Sequence, residues 1–101
     1  MQVKVTKLEL DIENIQIAKH TDYKGYKIRF SINQQQYVLL VGKTNILFPL
    51  SLIHTFNEKG TCQLCNKLVF PSNFSQQVCP TLFNRRKELL AYFQEHYSEQ
   101  F

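Results

Sequence analysis

The residues best placed to do chemistry are three cysteines and one histidine. Cys62 and Cys65 stand two residues apart, Cys79 follows after a short stretch with strand-like patterning, and His54 lies eight residues before the first cysteine. A Cys-x-x-Cys spacing lets two thiolates converge in one tight knuckle, at about 2.3 Å from a shared zinc ion. A third thiolate just ahead of a helix start is helped by the helix dipole, and Cys79 precedes Pro80, a residue favoured at the first helical position. Cys-x-x-Cys, hairpin, then Cys at a helix start is the layout of a treble-clef zinc finger.

The fourth ligand is the open question. A complete treble clef places a second Cys or His in the first helical turn, where this sequence has Pro80, Thr81, Leu82 and Phe83. None of these binds zinc. His54 is the nearest substitute. His96 sits about 25 Å along the expected helix from Cys79, which is out of reach, and His20 enters only if its loop folds over. The residues therefore leave three outcomes: a three-cysteine site closed by His54, a degenerate finger that has lost its metal, or three cysteines packed as small hydrophobes. A thioredoxin-like redox role fits less well, because Cys62-x-x-Cys65 is not set between a strand and a helix.

Lys59-Gly60-Thr61-Cys62-Gln63-Leu64-Cys65-Asn66-Lys67 resembles the knuckle of the C-terminal treble-clef domain of the fusidic-acid-resistance family, whose members bind elongation factor G. The resemblance is close over those residues and looser across residues 37–79. It implies ligand roles for Cys62, Cys65 and Cys79, and a ribonucleoprotein or translation factor as partner. Two departures stand out. The family's N-terminal helical domain has no counterpart in this sequence, and its final ligand pair is half present, at Cys79.

Basic residues form the second candidate site. Arg85, Arg86 and Lys87 fall early in the expected helix, near the positive end of its dipole, where cations are disfavoured by roughly 0.3–1 kcal/mol. Their clustering there points to an anion, a phosphate or an acidic surface; the plainer alternative is a solvated helix face relieved by Glu88. Lys24, Lys27 and Arg29, with Tyr23 and Tyr26 among them, form a basic-aromatic hairpin of the kind that holds single-stranded nucleic acid. Tyr26 is in phase with Ile28, Phe30 and Ile32 and belongs to the core, which leaves Tyr23 as the exposed ring and sends Lys27 and Arg29 outward.

The elements that must position these residues follow from hydrophobic periodicity. Over residues 1–60 the pattern is that of an antiparallel meander of four or five strands. Val3 and Val5, then Leu8, Leu10 and Ile12, then Ile15 and Ile17 switch parity, which predicts bends near Lys7 and Asn14. Tyr26 to Ile32 alternates cleanly; residues 37–41 form a short apolar run; Pro49 ends a strand or holds it at an edge. After the knuckle come a short strand at residues 68–70 and a partner over residues 74–78. Leu82, Leu89, Phe93 and Tyr97, with Phe83 and Leu90, make a helical stripe that predicts one helix over about residues 80–97. Its face of Leu82, Leu89, Leu90 and Phe93 is expected to meet Ile28, Phe30, Val38 and Leu40. The fold class is α+β, one domain of 101 residues comprising the meander (1–60) and a zinc-finger-like hairpin with helix (61–101).

Composition agrees with a single small globular domain: 44% hydrophobic, 20% charged, and twelve Lys+Arg against eight Asp+Glu for a net charge of +4. The excess leans toward anionic partners. Residues 1–20 lack the apolar core of a signal peptide, and the longest apolar run is too short to span a bilayer, so the expected compartment is cytoplasmic, with reduced thiols. Enzyme signatures are missing: no Gly-rich phosphate loop, no His-Glu-x-x-His, no Gly-x-Ser-x-Gly. The sequence thus reads as a small non-enzymatic binding module with zinc as its cofactor, contacting nucleic acid or a ribonucleoprotein through Arg85, Arg86, Lys87, Lys27, Arg29 and Tyr23. The alternative is a protein–protein adaptor or inhibitor whose cysteines are purely structural.

Overall fold

The computed structural model describes residues 10–21, 23–71 and 77–101. The expectations for Val3, Val5 and Leu8, for the bend near Lys7, and for strand over residues 74–76 lie outside them. A four-stranded antiparallel sheet runs in simple order through β1 (Ile12–Lys19), β2 (Gly25–Ile32), β3 (Gln35–Lys43) and β4 (Leu47–His54). A two-stranded ribbon follows, β5 (Gly60–Thr61) with β6 (Leu68–Val69), and then α1 (Pro80–Phe83) and α2 (Arg86–His96). The fold is α+β.

Local chemistry accounts for the sheet's irregularities. The parity switch at Asn14 is a bulge in β1 between Glu13 and Gln16, with Asn14 at φ 56°. Its amide donates to the Ser31 hydroxyl at 2.9 Å, and that hydroxyl donates to the Glu13 carbonyl at 3.3 Å, so the bulge is tied to the neighbouring strand. Ile32 pairs with Gln35 across Asn33 and Gln34, both at positive φ (53° and 69°), as the two-residue turn of a tight hairpin requires. Pro49 sits in β4, at the sheet's edge, where the register with β3 shifts between Leu40 and Val41. A proline lacks the donor a central strand needs, and the edge position removes that conflict.

One face of the sheet carries the core. Tyr26, Ile28, Phe30 and Ile32 of β2, Tyr37, Leu39 and Val41 of β3, and Leu52 of β4 pack with Leu82, Leu89, Leu90 and Phe93, and Cys62, Val69 and Cys79 join the same cluster. The helical stripe is as expected, but its partners on β3 are not. Phe30 pairs with Tyr37 and Ile28 with Leu39, so these face the helices, while Val38 and Leu40 pair with Arg29 and Lys27 and are buried on the other side. In a run apolar at every position, period-2 reasoning has no polar residue from which to fix the phase.

Two further corrections concern the C-terminal half. The single expected helix is broken at Asn84 and Arg85, where Asn84 caps α1. Arg86 lays its guanidinium over the Phe83 ring at 4.0 Å and donates to the Phe83 carbonyl at 2.9 Å, satisfying an acceptor left free at the end of α1. The partner of β6 is β5, closing a hairpin around the knuckle itself, and Val78 bridges to Ile53 of β4 instead.

Candidate metal centre

Four donor atoms converge between β4, the knuckle and the start of α1. The ligand atoms of His54, Cys62, Cys65 and Cys79 all lie within 4.8 Å of one another. Three of these residues are buried, and Cys65 is half-buried. Tetrahedral zinc, bonded at about 2.3 Å to sulfur and about 2.0–2.1 Å to nitrogen, needs donor separations of about 3.5–3.8 Å. His54 Nε2 and Cys65 Sγ already stand 3.5 Å apart. Side-chain adjustments would be needed to bring the other donors, all within 4.8 Å, to bonding distance, and the soft Cys3His set suits zinc. The cluster could hold a metal ion, with His54 as the fourth ligand; His20 and His96 lie elsewhere.

Three of the four donors are held by backbone bonding. Cys62 N–H donates to the Lys67 carbonyl at 2.9 Å and Asn66 N–H to the Cys62 carbonyl at 2.8 Å, closing the knuckle, with Asn66 at φ 63°. Leu64 N–H points at Cys62 Sγ (3.4 Å). Cys79 N–H donates to the Leu52 carbonyl at 3.1 Å, pinning the third cysteine to β4. The Gln77 carbonyl accepts twice from His54, from its backbone N–H at 2.8 Å and from ring Nδ1 at 2.6 Å. Nδ1 therefore carries the proton, which turns the Nε2 lone pair toward the cysteines.

Electrostatics fit that assignment. Burial lowers the His54 pKa below its ordinary value; the Gln77 bond opposes this and the nearby Lys67 adds to it, so the ring favours the neutral, ligating form. Burial pushes the Cys62 thiol up, but hydrogen bonds from the Tyr37 hydroxyl, from the Cys65 and Leu64 amides and from the Cys65 side chain outweigh it and bring Cys62 below the ordinary thiol value. Cys79 goes the other way, to about 12, chiefly by burial and further by the charges of Cys62 and Cys65, against a bond from Leu82. The helix dipole expected to favour this thiolate is small, because α1 is a single turn. Three sulfurs this close cannot all ionise without a cation among them.

Three residues of the site have no signature in the sequence. Tyr37, fully buried, brings its hydroxyl to 3.1 Å from Cys62 Sγ. Gln35 clamps the knuckle: its Nε2 donates to the Thr61 carbonyl at 2.8 Å, and its Oε1 accepts from Gln63 N–H at 2.9 Å. Gln77 orients His54 and, through its side-chain amide, binds both backbone polar groups of Phe70. In the sequence Tyr37 is one member of an apolar run, and Gln35 sits in a polar turn.

The basic candidates are dispersed. Arg85 pairs with Glu88 at 3.2 Å, Arg86 is occupied on Phe83, and Lys87 is exposed on α2. Lys27 and Arg29 lie on the sheet face opposite the helices, and Arg29 lines an open cavity of about 770 Å³ that reaches His54. Tyr23 is half-buried and stacks on His20, ring centroids 4.1 Å apart. Among the described residues, no helix is long and apolar enough to cross a membrane. Comparison with protein-family models, with curated proteins and with solved structures returns no match for this chain.

Proposed function

We propose that this protein is a small non-enzymatic binding module of the zinc-finger type, in which one zinc ion on Cys62, Cys65, Cys79 and His54 locks the knuckle and α1 onto the sheet. The observation that carries this reading is the convergence of all four donors within 4.8 Å, from segments up to 25 residues apart. Four protein ligands leave zinc no open coordination position, which is the arrangement of a structural site, not a catalytic one. A reducing, cytoplasmic setting would keep the thiols available. The partner we assign is nucleic acid or a ribonucleoprotein such as a translation-factor complex, on the support of the +4 charge and the knuckle's resemblance to the elongation factor G-binding family.

Metal content tests the first half. Protein purified without chelator or nickel is expected to carry one equivalent of zinc; Cys62→Ser/Cys65→Ser should carry none and melt at lower temperature. A parent without zinc and a double variant of equal stability would remove the finger. Binding of a fluorescent single-stranded oligonucleotide, weakening as salt rises, tests the second half. A protein partner is the other reading, favoured by Leu68 and Phe70, which follow the knuckle and are 53% and 51% exposed. Complexes that survive nuclease and moderate salt would favour it.

A further inference from the structure

A second cluster of chemistry lies at the opposite end of the sheet. From Tyr37 to Lys43 along β3 is about 20 Å at 3.3 Å per residue, so this end is well separated from the four-donor centre. There the end of β1, the start of β2 and the end of β3 enclose an open cavity of about 590 Å³, whose lining includes Lys19, His20, Tyr23, Lys24, Lys43 and Thr44. The three lysines are exposed, and the described lining holds no carboxylate. Asp22 lies outside the described residues. Counting it, the segments 19–25 and 42–44 still hold three lysines against one acid.

The backbone frame that brings the lysines together is tight. His20 N–H donates to the Gly25 carbonyl at 2.9 Å and Lys43 N–H to the Lys24 carbonyl at 3.1 Å, joining the three strand ends. Gly25, at φ +157°, has no room for a side chain: a Cβ would fall 1.9 Å from the Val41 carbonyl oxygen and 2.8 Å from the Tyr23 ring. The Lys43 ammonium sits 5.9 Å from the centroid of Tyr26. Three exposed lysines on one lining give this end of the sheet an excess of positive charge that attracts an anion. The volume is in the range of small-ligand sites, and the stacked rings of His20 and Tyr23 add an aromatic wall beside the cations.

From this geometry we infer that the cavity binds the phosphate ester of a nucleotide, carried on a single strand of nucleic acid, with Lys19, Lys24 and Lys43 on the phosphates. In its choice of ligand the inference rests on the reading of this protein as a nucleic-acid-binding module. It also changes where the contact falls: Lys24 acts with Lys19 and Lys43, not with Lys27 and Arg29, which lie on the far face of the sheet.

The test uses the zinc-loaded 101-residue chain and three probes: a fluorescent twelve-nucleotide single strand, a nucleoside monophosphate, and inorganic phosphate. Lys19→Gln/Lys24→Gln/Lys43→Gln is expected to bind the strand at least tenfold more weakly and to flatten the salt dependence by about two in log–log slope, as loss of three single-strand phosphate contacts requires. Zinc content and melting temperature should match the parent, and Lys19→Arg/Lys24→Arg/Lys43→Arg should restore binding. Equal strand binding by parent and Gln variant overturns the cavity as the site while leaving the nucleic-acid reading intact. A protein that ignores the strand but shows saturable amide shifts at Gly25 and Thr44 with the monophosphate keeps the phosphate-ester site and overturns the strand as its source. No response at these amides to any probe overturns the inference.

Discussion

At the residue scale, the proposed zinc centre would depend on side chains that contact the donors as much as on the donors. The Tyr37 hydroxyl is aimed at Cys62 Sγ from inside the core, where a hydrogen bond to sulfur meets no competition from water. Tyr37→Phe keeps the ring that packs beside Phe30 and removes the hydroxyl, with its bond to Cys62 Sγ and its longer bond to Gln35 Oε1 at 3.3 Å. We expect it to weaken zinc binding by about tenfold to a hundredfold, measured by chelator competition, with the fold retained. An unchanged affinity would make the hydroxyl merely a satisfied core group. Cys79 sets the pH dependence. Its thiol is pushed up to about 12 without metal, so near neutral pH it must release a proton when zinc binds. Zinc affinity should therefore rise with pH, by at least tenfold per unit between pH 6 and 8, in calorimetry or competition titrations. The cysteine spacing and the reach of His54 were legible in the sequence, because ligand geometry restricts both. The Tyr37, Gln35 and Gln77 contacts were not: each depends on a tertiary approach between segments 23 to 28 residues apart, and local pattern carries no record of it.

At the element scale, periodicity revealed what alternates and missed what does not. β2, with polar and apolar residues in strict turn, was readable to its ends, as was the irregularity at Asn14; Pro49 took the second of the two places open to it, inside an edge strand. The phase of β3 was hidden because both of its faces are buried. The helix break at Asn84 was hidden because the apolar stripe continues through it; Arg86 takes over a carbonyl that an unbroken helix would have used. The β2–β3 turn yields a prediction. Gln34 is exposed and sits at φ 69°, a conformation that costs a residue with a Cβ about 1–2 kcal/mol and that glycine adopts freely. After the entropy glycine adds to the unfolded chain, Gln34→Gly should stabilise the domain by about 0.5–1 kcal/mol. That is a rise of roughly 2–8 °C in melting temperature at this size. A fall would mean that the Gln34 side chain makes an interaction the turn geometry does not reveal.

At the scale of the whole molecule, two kinds of cohesion divide the structure. The sheet and α2 are held by an apolar cluster of Ile28, Phe30, Leu39, Leu89 and Phe93, rich in large buried side chains and independent of any ligand. The knuckle and α1 have two-residue strands, one helical turn and few buried aliphatics of their own, so the proposed metal tie through Cys62, Cys65, Cys79 and His54 would bear more of their stability. Removing the metal should therefore act unevenly. With a chelator present, amides of residues 60–69 and 79–83 are expected to exchange with deuterium at least a hundredfold faster, while those of β2, β3 and α2 keep most of their protection. The reason is thermodynamic: zinc bound at a thousand times its dissociation constant contributes about 4 kcal/mol, and only the segments whose folding requires the site lose that amount locally. Uniform loss of protection across the sheet would show that the metal underwrites the whole domain. Unchanged exchange at the knuckle would show that the clamp of Gln35 on Thr61 and Gln63, together with the buried cysteines, holds it without an ion.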